Sequence, residues 1–348
     1  MCYYIEMINI YNLSPIELKE YLVSIGEPKF RATQIFQLLH KGFPIMEMPT
    51  IPTSLKEKLS RDFYIRLPQI INEHISKDGT RKFLIEIDES NTMVECVLMT
   101  QEYGLTICVS TQVGCKMGCA FCASGKEGFV RNLTAGEILS QVILINKLHN
   151  NSSNTMRIVL MGSGEPLDNY DNFVKFVQLV NEKEGLNIST RNISLSTVGI
   201  VPKIRAFADL QNGVNLCISL HAPNDEIRRK IIPMARKYSI HELIDSAKYY
   251  FQKTGRRVIF EYSLIDEINS KVEHARELVT LLKGFPSHVN LINLNPTGGP
   301  LKPPSREVAM KFMDTLIKNG ISATMRKSKG QDIEGACGML KLRANKTN

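Results

Sequence analysis

Two periodicities divide the chain. Before residue 100, apolar positions recur at helical spacing in three short stretches and then begin to alternate. Ser14-Pro15 opens the first stretch, with Ser14 as N-cap and Pro15 at the first helical position, and Gly26 closes it. Phe30, Ile35, Leu38 and Leu39 mark a second helix over 29–40, stopped by Gly42, and 54–63 fits a third. The segments 69–75 and 82–87 alternate as strands do; Asp78-Gly79 between them is a hairpin signal, and 91–99 reads as a further strand. From residue 105 the pattern changes. Short β-branched runs at 105–110, 156–161, 192–197, 214–220, 257–264 and 288–294 alternate with helical stretches at 134–149, 170–183, 201–211, 239–254, 271–283 and 305–319. Thr134 and Glu137 have capping-box spacing at the start of the first of these helices. The alternation predicts an α/β fold with a parallel sheet and crossover helices. Six units suit a partial (β/α)6 barrel better than a full eightfold one. A small helical plus β-hairpin accessory domain (1–100) is expected before the catalytic domain (101–348).

Composition narrows the class. Of 348 residues, 43% are hydrophobic and 22% charged, as in ordinary globular enzymes. No apolar run approaches the roughly 20 residues that span a bilayer. Met1–Glu6 lacks the basic start and apolar stretch of a signal peptide, so a cytoplasmic location is expected, with no membrane partner. The net charge is +8, and residues 301–348 hold ten Lys/Arg against four acids, an excess of six. Such a basic end suits a polyanion, though a merely solvated surface would look the same.

The unusual residues collect where a barrel would place its chemistry, after the C-terminal ends of strands. Four of the eight cysteines crowd into 108–122, and Cys115, Cys119 and Cys122 have the spacing C-x3-C-x2-C. Three thiolates hold three irons of a 4Fe–4S cluster and leave one iron open. That iron can take the amino and carboxylate groups of S-adenosylmethionine (SAM) and deliver an electron to its sulfonium. A structural zinc site is the alternative, with Cys108 as a possible fourth ligand. The loop position after a first βα-type strand favours the cluster. Gly162-Ser163-Gly164-Glu165-Pro166 follows the second strand, its glycines permitting close approach of a ligand and Glu165 able to accept from an ammonium. By strand parity Ser196 and Ser194 share a face, as do Ser219, Cys217 and His221. Alone, His221 reads as a satisfied core histidine.

Taken with Cys108–Cys115, Ser219-Leu220-His221-Ala222-Pro223-Asn224-Asp225 and Asp332–Gly338, these stretches resemble the RlmN/Cfr family of radical SAM dual-specificity RNA methyltransferases over nearly the whole chain. The resemblance implies that Cys115, Cys119 and Cys122 ligate the cluster, and that Gly164, Glu165, Ser196, Ser219, Leu220, His221 and Asn295 bind SAM. It implies that Cys337 becomes S-methylated, that Cys108 is its disulfide-forming partner, and that Glu95 accepts a proton. The implied function is methylation of adenine carbon 2 in 23S rRNA, and in tRNA, with two SAM molecules per turnover. Carbon 2 of adenine is electron-poor and cannot attack the sulfonium directly, whereas a thiolate can. The 5′-deoxyadenosyl radical from the second SAM would then activate the methyl group on Cys337. An electron donor such as a flavodoxin or ferredoxin is implied. Gly164-Glu165-Pro166-Leu167 is similar to the carbon-2 enzymes; the carbon-8 enzymes of the same family usually lack this proline. A Cfr-like carbon-8 methyltransferase is therefore the second reading, and a non-catalytic metal-containing RNA-binding protein the third. The third leaves Cys108, Cys337 and the glycine–glutamate loop without a task.

Overall fold

The structure, a computed structural model, describes residues 8–64, 66–88, 91–102, 104–126, 128–150 and 156–340. Cys2, Lys341, Arg343 and Lys346 lie outside these residues. At the N-terminal end, Ile8–Asn9 (β1) pairs with Phe63–Tyr64 (β2), enclosing Pro15–Ser24 (α1), Arg31–His40 (α2) and Thr53–Asp62 (α3). The helices begin and stop for local reasons. Ser14 and Glu17 form a reciprocal capping box at α1, satisfying two N–H groups the helix cannot. Gly26 and Gly42 take left-handed backbone just past α1 and α2. Leu18, Leu22, Ile35, Phe36, Leu39, Leu55 and Leu59 are buried and join one core with the rest of the molecule.

Gln69–Ile75 (β3), Arg81–Glu86 (β4) and Met93–Gln101 (β5) form an antiparallel meander that runs into Gly104–Cys108 (β6). The parallel part starts with β6 and continues through Met156–Leu160 (β9), Ile193–Thr197 (β10), Asn215–Ser219 (β11), Val258–Leu264 (β12), Ser287–Asn293 (β13) and Ala323–Arg326 (β14). One ten-stranded sheet results, in the order β14-β13-β12-β11-β10-β9-β6-β5-β4-β3, with β14 and β3 at its two ends. It does not close on itself, as a partial barrel requires. The connecting helices are Ala135–Leu148 (α4), Tyr170–Asn181 (α5), Val201–Asp209 (α6), Asp225–Ile231 (α7), Ile240–Thr254 (α8), Val272–Leu282 (α9) and Arg306–Lys318 (α10).

Three features depart from the pattern read along the chain. A seventh parallel strand, β14, follows the sixth unit; its four residues, Ala323-Thr324-Met325-Arg326, are too short and mixed to show alternation. Helix α7 has only seven residues, of which Ile227, Arg228 and Ile231 are buried, so it carries no long apolar stripe. Strands β3 to β5 are hydrogen-bonded into the same sheet as the parallel strands, and residue 100 lies within β5. Along β10, Ile193 and Leu195 are buried on the helix side while Ser194 and Ser196 face the other way, the alternation a lumen-lining strand needs.

Candidate active site

The cysteine loop is tied down at both ends. Gln112–Gly114 (β7) pairs with Phe129–Asn132 (β8), and Cys115 N–H donates to the Gly128 carbonyl at 2.8 Å. Gly114 is left-handed, and any side chain there would collide with that carbonyl. Within the loop, Ala120 N–H donates to Ile231 O at 2.9 Å, and Ala123 N–H donates to Gly338 O at 2.7 Å. The loop thus rests on α7 on one side and on the Cys337 segment on the other.

Cys115, Cys119 and Cys122 line one inner cavity of about 140 Å³ together with Gly164, Glu165, Ser196, Ser219, His221, Asn295 and Cys337. Among the described residues no three His, Cys, Asp or Glu side chains converge on a single point, as one metal ion demands. Three thiols lining one chamber fit a 4Fe–4S cluster, in which each sulfur meets a different iron. Burial pushes the Cys115 thiol up to about 12, and it raises Cys119 and Cys122 as well. Protons are therefore released when metal binds.

Glu165 sits on the loop after β9. Its carboxylate accepts from Leu167 N–H at 3.0 Å and Val198 N–H at 2.7 Å, and burial nevertheless pushes its pKa up to about 7. A buried carboxylate held this way gains from a cation, and an ammonium supplies one. The glycines beside it serve the chain more than a ligand. A Cβ on Gly162 would lie 2.6 Å from Val109 O, and one on Gly164, at φ +109°, would lie 2.7 Å from Gln112 N. They let this loop press against 109–112, where the Gln112 side-chain oxygen accepts from Glu165 N–H at 2.8 Å.

Most of the residues expected to bind SAM meet at this cavity. His221 has left-handed backbone; its Nδ1 accepts from Ser263 N–H at 2.8 Å, and its ring meets Phe121 of the cysteine loop edge-on at 4.5 Å. Burial, with Arg228 adding to it, lowers its pKa to about 3, so the ring is neutral with Nε2 as the N–H. Leu220 is fully buried and does not line the cavity; its N–H donates to Glu261 O and its carbonyl accepts from Arg228. The Asn295 amide donates to Cys337 O at 3.0 Å and its oxygen accepts from Gln331 at 3.1 Å, so it steadies the Cys337 segment.

A second cavity of about 300 Å³, termed the outer cavity, adjoins the first. Cys108, Met99, Thr106 and Val159 form its floor, and Gln101, Lys327, Ser328 and Lys329 also line it. Cys337, Met161, Ile292, Asn295 and Arg326 line both cavities, so Cys337 stands at their junction. Cys337 is exposed, whereas Cys108 is buried and its thiol is pushed up to about 12, by desolvation first and the neighbouring Cys337 second.

The segment carrying Cys337 is clasped by the β3–β4 hairpin turn. Asp332 accepts from Ser76 Oγ at 2.5 Å and from Lys77 N–H at 3.2 Å, and Asp78 accepts from Gly330 N–H at 2.9 Å. Lys82 reaches Glu334 O at 3.5 Å and forms an ion pair with Glu95 at 3.2 Å. Glu95 lines neither cavity. It belongs to the row Glu95, Val97, Met99 on β5, the last of which walls the outer cavity.

Several polar residues of the site carry no signal in the sequence. Glu261 and Arg326, 3.8 Å apart, line the inner cavity, and Arg228 is buried behind it. Glu261 lies within an apolar run and Arg326 sits in a basic cluster, so neither pattern marks it as buried.

A model of the radical SAM superfamily matches residues 109–279, and a model of the ribosomal RNA large subunit methyltransferase N-terminal domain matches residues 8–65. Curated relatives include a probable dual-specificity RNA methyltransferase RlmN of Clostridium novyi, 48% identical over 96% of this chain and 98% of that one. A protein of the same name from Clostridium perfringens is 50% identical over 96% of this chain and 97% of its own. A crystal structure of a radical SAM methyltransferase from Sphaerobacter thermophilus superposes with a TM-score of 0.93 at 41% identity, covering 97% of this chain and all of that one.

Proposed function

Because the chain belongs to the RlmN family of dual-specificity RNA methyltransferases, within the radical SAM superfamily, we propose that it methylates carbon 2 of an adenosine in 23S rRNA, and in tRNA, through a methyl group carried on Cys337. The observation that carries this reading is the position of Cys337 at the junction of two cavities, one lined by three cysteines and Glu165, the other by Cys108 and two lysines.

Cys115, Cys119 and Cys122 hold the 4Fe–4S cluster, and Glu165 accepts from the ammonium of SAM, with Gly164, Ser196, Ser219, His221 and Asn295 lining the rest of its site and Leu220 packed behind it. Bound there, cluster and SAM supply the one-electron cleavage that removes a hydrogen atom from an unactivated methyl group. The side chains do the remainder. Cys337, as thiolate, attacks the methyl carbon of a first SAM and releases S-adenosylhomocysteine; a second SAM is consumed in activating the methyl group it now carries. The activated carbon bonds to the base in the outer cavity. The adduct would return one electron to the cluster as Glu95 accepts the carbon-2 proton; Cys108 then attacks the Cys337 sulfur, the S–CH2 bond breaks with its electron pair on carbon, and a proton taken up there completes the methyl group, leaving a disulfide for external reduction. Burial keeps Cys108 a thiol in the bare chain. An rRNA substrate places this work in the cytoplasm, with a flavodoxin or ferredoxin as electron donor. Among the described residues no helix is long and apolar enough to cross a membrane.

The test is turnover of anaerobically reconstituted protein with SAM, a reductant and 23S rRNA, followed by mass analysis of the nucleosides. The expected product is 2-methyladenosine; 8-methyladenosine in its place would move the chain to the carbon-8 reading. Without added thiols, Cys108→Ala accumulates a nuclease-sensitive protein–RNA adduct, whereas Cys337→Ala yields neither methylated protein nor methylated RNA. RNA methylation by Cys337→Ala would sink the two-cysteine mechanism.

A further inference from the structure

Helix α7 begins at Asp225 and packs against the cysteine loop through the Ala120–Ile231 hydrogen bond, and Pro233, just beyond it, stands where a Cβ added to Gly118 would meet its Cγ at 3.7 Å. Its Arg228 is fully buried. The guanidinium Nε donates to Leu220 O at 3.2 Å, and Nη2 donates to Val198 O at 2.6 Å and to Ser219 O at 3.2 Å. Nη1 is buried and has no partner. Among the described residues no carboxylate lies within ion-pair distance of this cation. Burying an unpaired charge costs several kcal/mol, and an orphaned buried N–H adds to that cost. Such an arrangement persists in a fold when something absent from the bare chain supplies the counter-charge. Val198 and Ser219, whose carbonyls the guanidinium binds, line the cavity together with Cys119; Cys119, a neutral thiol in the bare chain, and Asp225 are the acidic groups near enough to act on Arg228. A three-thiolate cluster carries net negative charge in its oxidised form and one more after reduction, so a fixed cation beside it favours the reduced form. Net charge and hydrogen bonds to sulfur are the protein's means of setting such potentials.

We propose that Arg228 is the buried counter-ion of the cluster, its free Nη1–H directed at the sulfur face beside Cys119 and its charge raising the reduction potential. The three carbonyl bonds hold the guanidinium in place and leave that one donor for the cluster. The inference rests on the reading of Cys115, Cys119 and Cys122 as cluster ligands, and the experiment separates the two.

Parent, Arg228→Lys and Arg228→Gln proteins are reconstituted anaerobically, their iron and sulfide measured, and the cluster titrated by EPR without SAM. In Arg228→Gln the ratio of reduced to oxidised cluster at a fixed poise should fall at least tenfold, a shift of about 60 mV for one electron. Arg228→Lys, which keeps the charge and loses the fork, should shift by less than half of that. Parent-like potentials in both variants at full iron loading would overturn the proposal, even if SAM binding weakened, because the guanidinium would then serve the SAM carboxylate. Should Arg228→Gln fail to fold or to load, parent protein labelled with 15N-arginine provides the second measurement. A 15N coupling to the reduced cluster is expected, retained in an Arg326→Lys background that removes the arginine lining the cavity. Its absence would also overturn the proposal. A parent that binds no four-iron cluster would fail at the earlier reading, and this one would fall with it.

Discussion

Lys82 and Glu95 are both 2% exposed and 3.2 Å apart. Two charges taken so far out of water lose several kcal/mol each of hydration, which their mutual attraction offsets only while both are present. Lys82→Met should therefore lower the unfolding free energy by about 3–5 kcal/mol, the cost of leaving one buried charge unpaired. The double variant Lys82→Met/Glu95→Leu should recover much of the loss. Urea denaturation of the two single variants and the double closes the cycle, and simple additivity would show that the pair is not coupled. Lys82 also reaches Glu334 O, so the pair links the proposed proton acceptor to the segment carrying Cys337. Local pattern exposes some of these residues and hides others. C-x3-C-x2-C and the glycine–glutamate loop are legible because their chemistry depends on close sequence spacing. Lys82 looks like any polar residue of a hairpin and Arg228 like any cation of a short helix. What distinguishes them is burial against partners distant in sequence, which alternation cannot reveal.

Helices with reciprocal caps stand close to where the sequence puts them: α1, α4 and α8 each begin at a Ser or Thr with Glu three residues on. Helix α2 lacks a side-chain cap and is held by its buried face, Ala32, Ile35, Phe36, Leu39 and His40. His40 stacks on Phe36 at 4.0 Å, its Nδ1 bonds Phe36 O at 2.9 Å, its Nε2 is buried without a partner, and Gly185 leaves room for the ring. Burial lowers its pKa from 6.5 to about 4. In the folded protein the ring stays neutral in that window, while the unfolded chain takes up a proton. Stability is thus fully present above pH 6.5 and falls as pH drops toward 4, by roughly 3 kcal/mol in all. His40→Phe keeps an aromatic face for Phe36 and should remove that share of the acid sensitivity. Denaturation midpoints at neutral and mildly acid pH measure it; an unchanged pH slope would mean that other groups carry the acid loss. Strand β14 and helix α7 illustrate the opposite case. They are four and seven residues long, too short for a periodicity of their own, and are set by β13 and by the cysteine loop.

At the scale of the whole molecule, the sheet gathers the C-terminal ends of its parallel strands around one inner cavity, and the β3–β4 hairpin reaches across to hold the last loop over it. Cations then divide by location, as a count along the chain cannot show. Of the neighbours Arg326, Lys327 and Lys329, the first lines both cavities and lies 3.8 Å from the buried Glu261 carboxylate. Lys327 and Lys329 line the outer cavity, where the phosphates flanking an extruded nucleotide would lie. Counterion release makes each neutralised phosphate visible as salt dependence. For a single-stranded target, the slope of log affinity against log salt changes by about 0.7 for each phosphate that a cation ceases to neutralise. Lys327→Ala with Lys329→Ala should therefore flatten the slope by roughly 1.4 and weaken binding of an rRNA fragment most at low salt. Arg326→Gln should leave the slope within experimental scatter while impairing turnover. Binding isotherms for the three proteins across a salt series decide it. An unchanged slope in the double lysine variant would mean that these ammonium groups only face solvent, and that the RNA is gripped elsewhere on the +8 surface. A slope that flattened with Arg326→Gln instead would put the phosphate inside the cavity, at the residue the fold has paired with Glu261.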